Sequence, residues 1–205
     1  MSDQEEIRQL LDNWVIWRDS GDWDRFATLW HPEGRMIATW FQASATDFIA
    51  RARAAWDQGS TAYHFLGGSS IEVQDSRAIA QTKMQIIQRA QVHEVPVEVI
   101  CSGRFWDALE KRNGHWRLLL RQPIYEMDRM STVSPSARVE LDPNLLASFP
   151  EGYRHLGYLQ SQIGFKVNKS LPGTRGPQIE TLQAHGQRWL AGDPSASLDL
   201  SWIAD

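Results

Sequence analysis

Residues 17–30, WRDSGDWDRFATLW, decide how the chain is read. Upstream of them Ile7, Leu10, Leu11, Trp14 and Val15 recur at helical spacing, so the segment closes a helix that opens at Ser2 or Asp3. Glu5 and Glu6 suit the positive end of that helix. The run Asp19-Ser20-Gly21-Asp22 stops it, with Gly21 as a left-handed cap, and a second short helix follows over residues 23–30. Asp19 is the residue that needs explaining. Leu11, Val15 and Asp19 are spaced four apart and form one stripe, which points a carboxylate inward or at the mouth of a pocket. On spacing alone the simpler reading prevails, an aspartate that caps the following turn.

Working outward, HPEG (31–34) reads as a turn, RMIATWFQ (35–42) as β-rich, and residues 44–59 as a third helix closed by Gly59. The pattern then changes. Four long stretches rich in β-branched and aromatic residues run from Thr61 to Met130, and Asn113-Gly114 in KRNG supplies a hairpin turn. Three helices followed by strands give an α+β plan: helices on one face of a strongly curved antiparallel sheet, a cone whose open end is an apolar pocket. Beyond this unit, residues 1–131, the composition shifts. A polar, proline-containing linker leads into helices at 149–165 and 176–192, separated by an irregular basic loop and followed by a loose tail at 193–205. The segment 132–205 is expected to be a helical extension, either a lid or an arm between subunits.

The chain has 205 residues and a net charge of −4, with no basic stripe, so nucleic acid is not an expected partner. No apolar run spans a bilayer and the acidic N-terminus is no secretion signal, which points to a cytoplasmic protein without membrane association. Histidines at 31, 64, 93, 115, 155 and 185 show neither HxH nor HExxH spacing, so no metal site and no cofactor is expected. The single cysteine, Cys101, reads as buried packing. Ten tryptophans against four tyrosines are unusual, and such rings fill a core or line a pocket for aromatic ligands.

Two further residues join Asp19. His64 lies in AYHFLGG, where a lone strand histidine is usually structural, and gains meaning only from a partner that fixes its tautomer. Arg121 lies in HWRLLLRQPIY among apolar neighbours, on the strand face of Leu119, Pro123 and Tyr125 if no bulge intervenes, and a buried arginine needs a partner. A structural ion pair and a functional role are equally compatible with its setting.

The order of elements, the GDW turn after the first helix and the closing WRL strand resemble the NTF2-like superfamily, in particular its SnoaL-like branch of polyketide cyclases and cofactor-free lyases. The resemblance spans roughly residues 3–130. It implies a catalytic aspartate at Asp19, a catalytic histidine at His64 and a pocket arginine at Arg121, with Asp19 orienting His64 as a general base. A helix-one lysine of the dehydrochlorinase members has no counterpart here, because the nearby positions hold Asn13 and Trp14. The implied chemistry is a cofactor-free lyase or dehydratase that removes water or a small aldehyde from a hydrophobic, aromatic alcohol, with a lignin-derived diaryl propanediol as one such substrate. Elimination, isomerisation and retro-aldol cleavage all suit such a base. Arg121 would stabilise an oxyanion or the leaving group, and Tyr63, Trp40, Tyr125 and Phe65 are the candidates for substrate contact. A homo-oligomer, dimer or trimer, is implied too. The competing reading is a non-catalytic member of the same fold that binds a ligand or a partner.

Overall fold

The computed structural model describes residues 1–60, 62–196 and 198. The first helix, α1, spans Asp3–Ser20. The Ser2 hydroxyl accepts from the Glu5 backbone and the Glu5 carboxylate accepts from the Ser2 N–H, closing both ends of a capping box. Gly21 ends it at φ 74°, a conformation that costs glycine nothing. Helix α2 is Trp23–Thr28, and α3, Ala45–Asp57, is capped by the Ser44 hydroxyl.

Six strands form one sheet: β1 Trp30–Ala38, β2 Phe41–Ser44, β3 Ala62–Gln74, β4 Arg77–Val92, β5 Val95–Arg112 and β6 His115–Thr132. Their order is β2-β1-β6-β5-β4-β3. The last four form a meander, and Asn113 and Gly114 both take positive φ in the β5–β6 hairpin, as the turn requires. The architecture is the α+β cone read from the sequence, with two corrections. The segment 31–34 is not a turn but part of β1, whose register on β6 slips between Trp30 and Arg35. Gly34 is needed there, since a Cβ would sit 2.8 Å from the His31 carbonyl oxygen. And β1 runs parallel to β6, so the sheet is mixed rather than wholly antiparallel.

Strands of 18 residues are too long to lie flat on a domain of this size. They bend at register shifts between Ser102 and Gly103 and between Ala108 and Leu109 of β5, where β6 carries an extra residue opposite. The concave face holds the core. Trp14 lies at its centre, edge-on to Phe26 at 5.2 Å and stacked on Phe48 at 6.4 Å.

After β6 the chain returns across the sheet. The expected linker contains a short helix, α4 (Pro143–Ala147), capped by Asp142. A 3-10 turn at Glu151–Tyr153 leads into α5, Arg154–Gln162, and α6 covers Pro177–Leu190. Asp128 of β6 anchors α5: its carboxylate accepts from the Leu156 N–H at 2.8 Å and bonds the His155 Nδ1 at 2.8 Å. On α6, a Cβ at Gly186 would lie 2.3 Å from Trp106, so the helix can approach the sheet only through a glycine. Of the tail expected at 193–205, residues 197 and 199–205 lie outside the described residues.

Candidate active site

A cavity of about 330 Å³ opens at the wide end of the cone. Helix α1 contributes Trp14 and Arg18, α3 contributes Phe48, Arg51 and Ala52, and the β1–β2 region contributes Met36, Thr39 and Trp40. The sheet adds His64, Ile86, Gln88, Phe105 and Tyr125, and the C-terminal segment adds Leu156, Gln160 and Phe165. The walls are mainly apolar. Among the described residues no aspartate or glutamate lines the cavity, while two arginines do.

Asp19, on the last turn of α1, meets His64, near the start of β3. One carboxylate oxygen bonds the His64 Nδ1 at 2.8 Å, and the other accepts from the His64 backbone N–H at 2.6 Å. A carboxylate that accepts from Nδ1–H leaves the lone pair on Nε2, and His64 lines the cavity. The imidazole is further held edge-on to Trp14 at 5.5 Å. Burial pulls the His64 pKa below its ordinary value of 6.5; the Asp19 bond opposes this, and the charges of Arg18 and Arg121 add to the lowering. His64 is therefore a neutral imidazole at neutral pH. Arg18 completes the group, donating to Asp19 at 3.2 Å and to the Ala62 carbonyl at 3.1 Å.

Arg121 is placed differently from the expectation. It is fully buried and makes a two-pronged pair with Asp107, at 2.7 and 2.9 Å. Its guanidinium carbon lies 4.2 Å from the ring centres of both Trp14 and Phe105. Both rings line the cavity and Arg121 does not. Burial raises the Asp107 pKa and the guanidinium opposes the rise.

Of the four expected contact residues, Trp40 and Tyr125 line the cavity. Burial pushes the Tyr125 phenol strongly upward, so it stays protonated. Tyr63 and Phe65 do not line it. Both are 57% exposed on the convex face, because side chains alternate along a strand and His64 between them takes the inner face. The sequence reading missed a polar row in the cavity wall. The Thr39 hydroxyl donates to Gln160 Oε1 at 2.5 Å, and Gln160 Nε2 donates to Gln88 Oε1 at 3.3 Å.

Comparisons with known proteins identify the family and the fold. Residues 1–122 match the SnoaL-like domain family. Pea pathogenicity protein 2 of Fusarium vanettenii is 34% identical over 199 residues, covering 92% of this chain and 85% of that protein. A PEP2-like protein of the same fungus is 31% identical with the same coverage. Among solved structures, a type 2 hexachlorocyclohexane dehydrochlorinase (LinA) superposes with a TM-score of 0.54 at 10% identity, covering 67% of this chain and 93% of that one. A protein assigned as a scytalone dehydratase from Novosphingobium aromaticivorans gives 0.52 at 17% identity, covering 67% and 95%. At these identities the structural likenesses show the fold.

Proposed function

The chain belongs to the SnoaL-like domain family, and from that premise we propose that it is a cofactor-independent lyase or dehydratase whose general base is His64, oriented by Asp19. The observation that carries this reading is the pair of Asp19–His64 bonds at 2.6 and 2.8 Å beside an apolar cavity. A neutral imidazole with Nε2 free can take a proton from a substrate carbon or hydroxyl, and the Asp19 carboxylate supports the imidazolium that forms. In an elimination the C–H electron pair becomes the C=C bond and the leaving hydroxyl departs as water, with a proton returned by His64 or by the protonated Tyr125 phenol. Trp14, Phe48 and Phe105 exclude water, which strengthens each polar contact inside.

The substrate is a hydrophobic, aromatic alcohol or hydroxy-ketone of a size matched to a cavity of about 330 Å³, held by Trp40 and Tyr125. Domain division at residue 131, a homo-oligomeric state and a cytoplasmic location belong to the same proposal; no helix among the described residues is long and apolar enough to cross a membrane. The test is a screen of aromatic diols and hydroxy-ketones for loss of water or formaldehyde. Turnover should disappear in His64→Ala with folding intact, and unchanged turnover in that variant sinks the proposal. The competing reading, a ligand-binding member without chemistry, draws support from Arg121, which is sealed in its pair with Asp107 rather than opening into the cavity. It predicts tight ligand binding with no product formed.

A further inference from the structure

We infer that the cavity takes an aromatic carboxylic acid, with its ring among the aromatic side chains of the wall and its carboxylate at the mouth, on the Arg51 guanidinium. Joined to His64 as base, this makes the substrate a hydroxy acid rather than a neutral alcohol. That step rests on the proposed His64 chemistry; the binding stands without it.

The charges around the cavity do not balance. Arg18 and Arg51 line it, and among the described residues no acid does. Arg18 is already engaged, bonding Asp19 at 3.2 Å and the Ala62 carbonyl at 3.1 Å. Arg51 makes no hydrogen bond or ion pair with a described residue. What holds it is the ring of Phe41, whose centre lies 5.4 Å from the guanidinium carbon. The acid one turn before it on α3, Asp47, is taken up by the Ser44 hydroxyl at 2.7 Å in the helix cap. The mouth therefore carries one full positive charge whose planar fork of N–H donors has no protein acceptor, and a carboxylate is the group that such a fork fits. Apolar walls around it strengthen the attraction.

The position of Arg51 gives the ligand its second feature. Phe48, Arg51, Ala52, Ala55 and Gln58 recur at spacings of three and four, so they share one face of α3, and all five line the cavity. Phe48 and Ala52 are buried, while Arg51 and Gln58 are exposed. That face thus runs from an apolar interior to a polar rim. Phe41 ties Arg51 to the aromatic wall: its ring centre lies 5.6 Å from Trp40 and 5.7 Å from Phe48, and Trp40 meets Phe165 at 5.1 Å. A flat ring lying against Trp40 and Phe48 has Arg51 at its outer edge. An acid group on that edge gains a charge-assisted pair, whereas a neutral group leaves the guanidinium to water.

The test is calorimetric titration of the intact chain at low salt with cinnamate and with cinnamamide, its neutral counterpart of nearly the same shape. The wild type should bind the acid about fivefold more tightly, the scale of a partly exposed ion pair. The preference should shrink in about 0.5 M sodium chloride. Arg51→Gln should abolish it and leave the affinity for the amide unchanged. Arg53→Gln removes the same charge from an exposed position on the same helix outside the cavity, and should keep the preference. Ala55→Glu, which leaves Arg51 in place, sets a carboxylate one turn away to pair with it and should also abolish the preference. If Arg51→Gln fails to fold, Ala55→Glu decides. Equal binding of the two compounds to wild type, no binding of either, a preference that survives Arg51→Gln or Ala55→Glu, or one that Arg53→Gln removes as well overturns the inference. The preference is read without turnover, so it separates from the His64 chemistry. An acid preference kept in His64→Ala, with turnover unchanged there, rejects the base and leaves the Arg51 subsite standing. Equal binding to wild type, with turnover lost in His64→Ala, rejects the subsite and leaves the base.

Discussion

At the scale of single residues, the site's character comes from one histidine kept neutral by burial and one aspartate that fixes its tautomer. Because the His64 pKa lies below 6.5, the base form persists into mildly acidic solution. kcat/KM should be flat above about pH 6.5 and fall only at lower pH, as the imidazole takes up the proton that disables it. The same shift makes the native state bind fewer protons than the unfolded chain, so stability also declines as pH drops below 6.5. A pH–rate profile whose acid limb lies above 6.5 contradicts this. Asp19→Asn should retain the fold and lose roughly 10²- to 10⁴-fold in rate. The Arg121–Asp107 pair makes a separate prediction. Asp107→Leu alone leaves a buried, unpaired guanidinium and should cost about 3–5 kcal/mol, while the double change Asp107→Leu/Arg121→Met should recover most of it in urea denaturation. Asp19 and His64 were joined as a pair by the family resemblance, since the four-residue stripe bears on Asp19 alone and on spacing favours a turn cap. For Arg121 the sequence left a structural ion pair and a functional role equally open, and its partner was not legible. Counting back from the hairpin at Arg112 and His115 sets Asp107 opposite Leu120, and only the extra residue at Leu119 brings it opposite Arg121. Tyr63 and Phe65 were misassigned although the period of two already placed them opposite to His64. Gln88 and Gln160 carry no motif, and their meeting depends wholly on tertiary packing.

At the scale of elements, caps and turns made most of the architecture readable. Ser2, Gly21, Ser44 and Asn113-Gly114 mark ends that local chemistry alone dictates. What failed was non-local: β1 runs through HPEG with β6 paired to it on either side of that segment, at Trp30 and at Arg35, from more than 80 residues away, a partner that no local pattern announces. Helix α5 shows the same dependence. Tyr153 at its N-cap offers no side-chain bond, and the cap is supplied by Asp128 from the sheet. Asp128→Ala should therefore cost about 0.5–2 kcal/mol and release the helix start. Amide exchange should quicken over residues 154–162, and ligand affinity should fall with it because α5 carries Leu156 and Gln160 into the cavity. Unchanged exchange there would mean that apolar packing alone holds α5.

At the scale of the whole molecule, the cavity joins distant parts of the chain. The side that holds the Asp19–His64 pair is built from α1 and β3, and another wall comes from a helix after residue 153. The bond between Thr39 and Gln160 spans 121 residues. That span has a kinetic meaning. Closing such a loop is entropically expensive and is rewarded only after the sheet that supports both ends exists, so the binding site is the last part of the fold to form. Refolding followed by far-ultraviolet circular dichroism should finish before the recovery of ligand binding. On the ribosome, a chain paused before residue 160 would hold a complete His64–Asp19 pair facing an unfinished pocket, exposing its apolar floor to solvent and to other nascent chains.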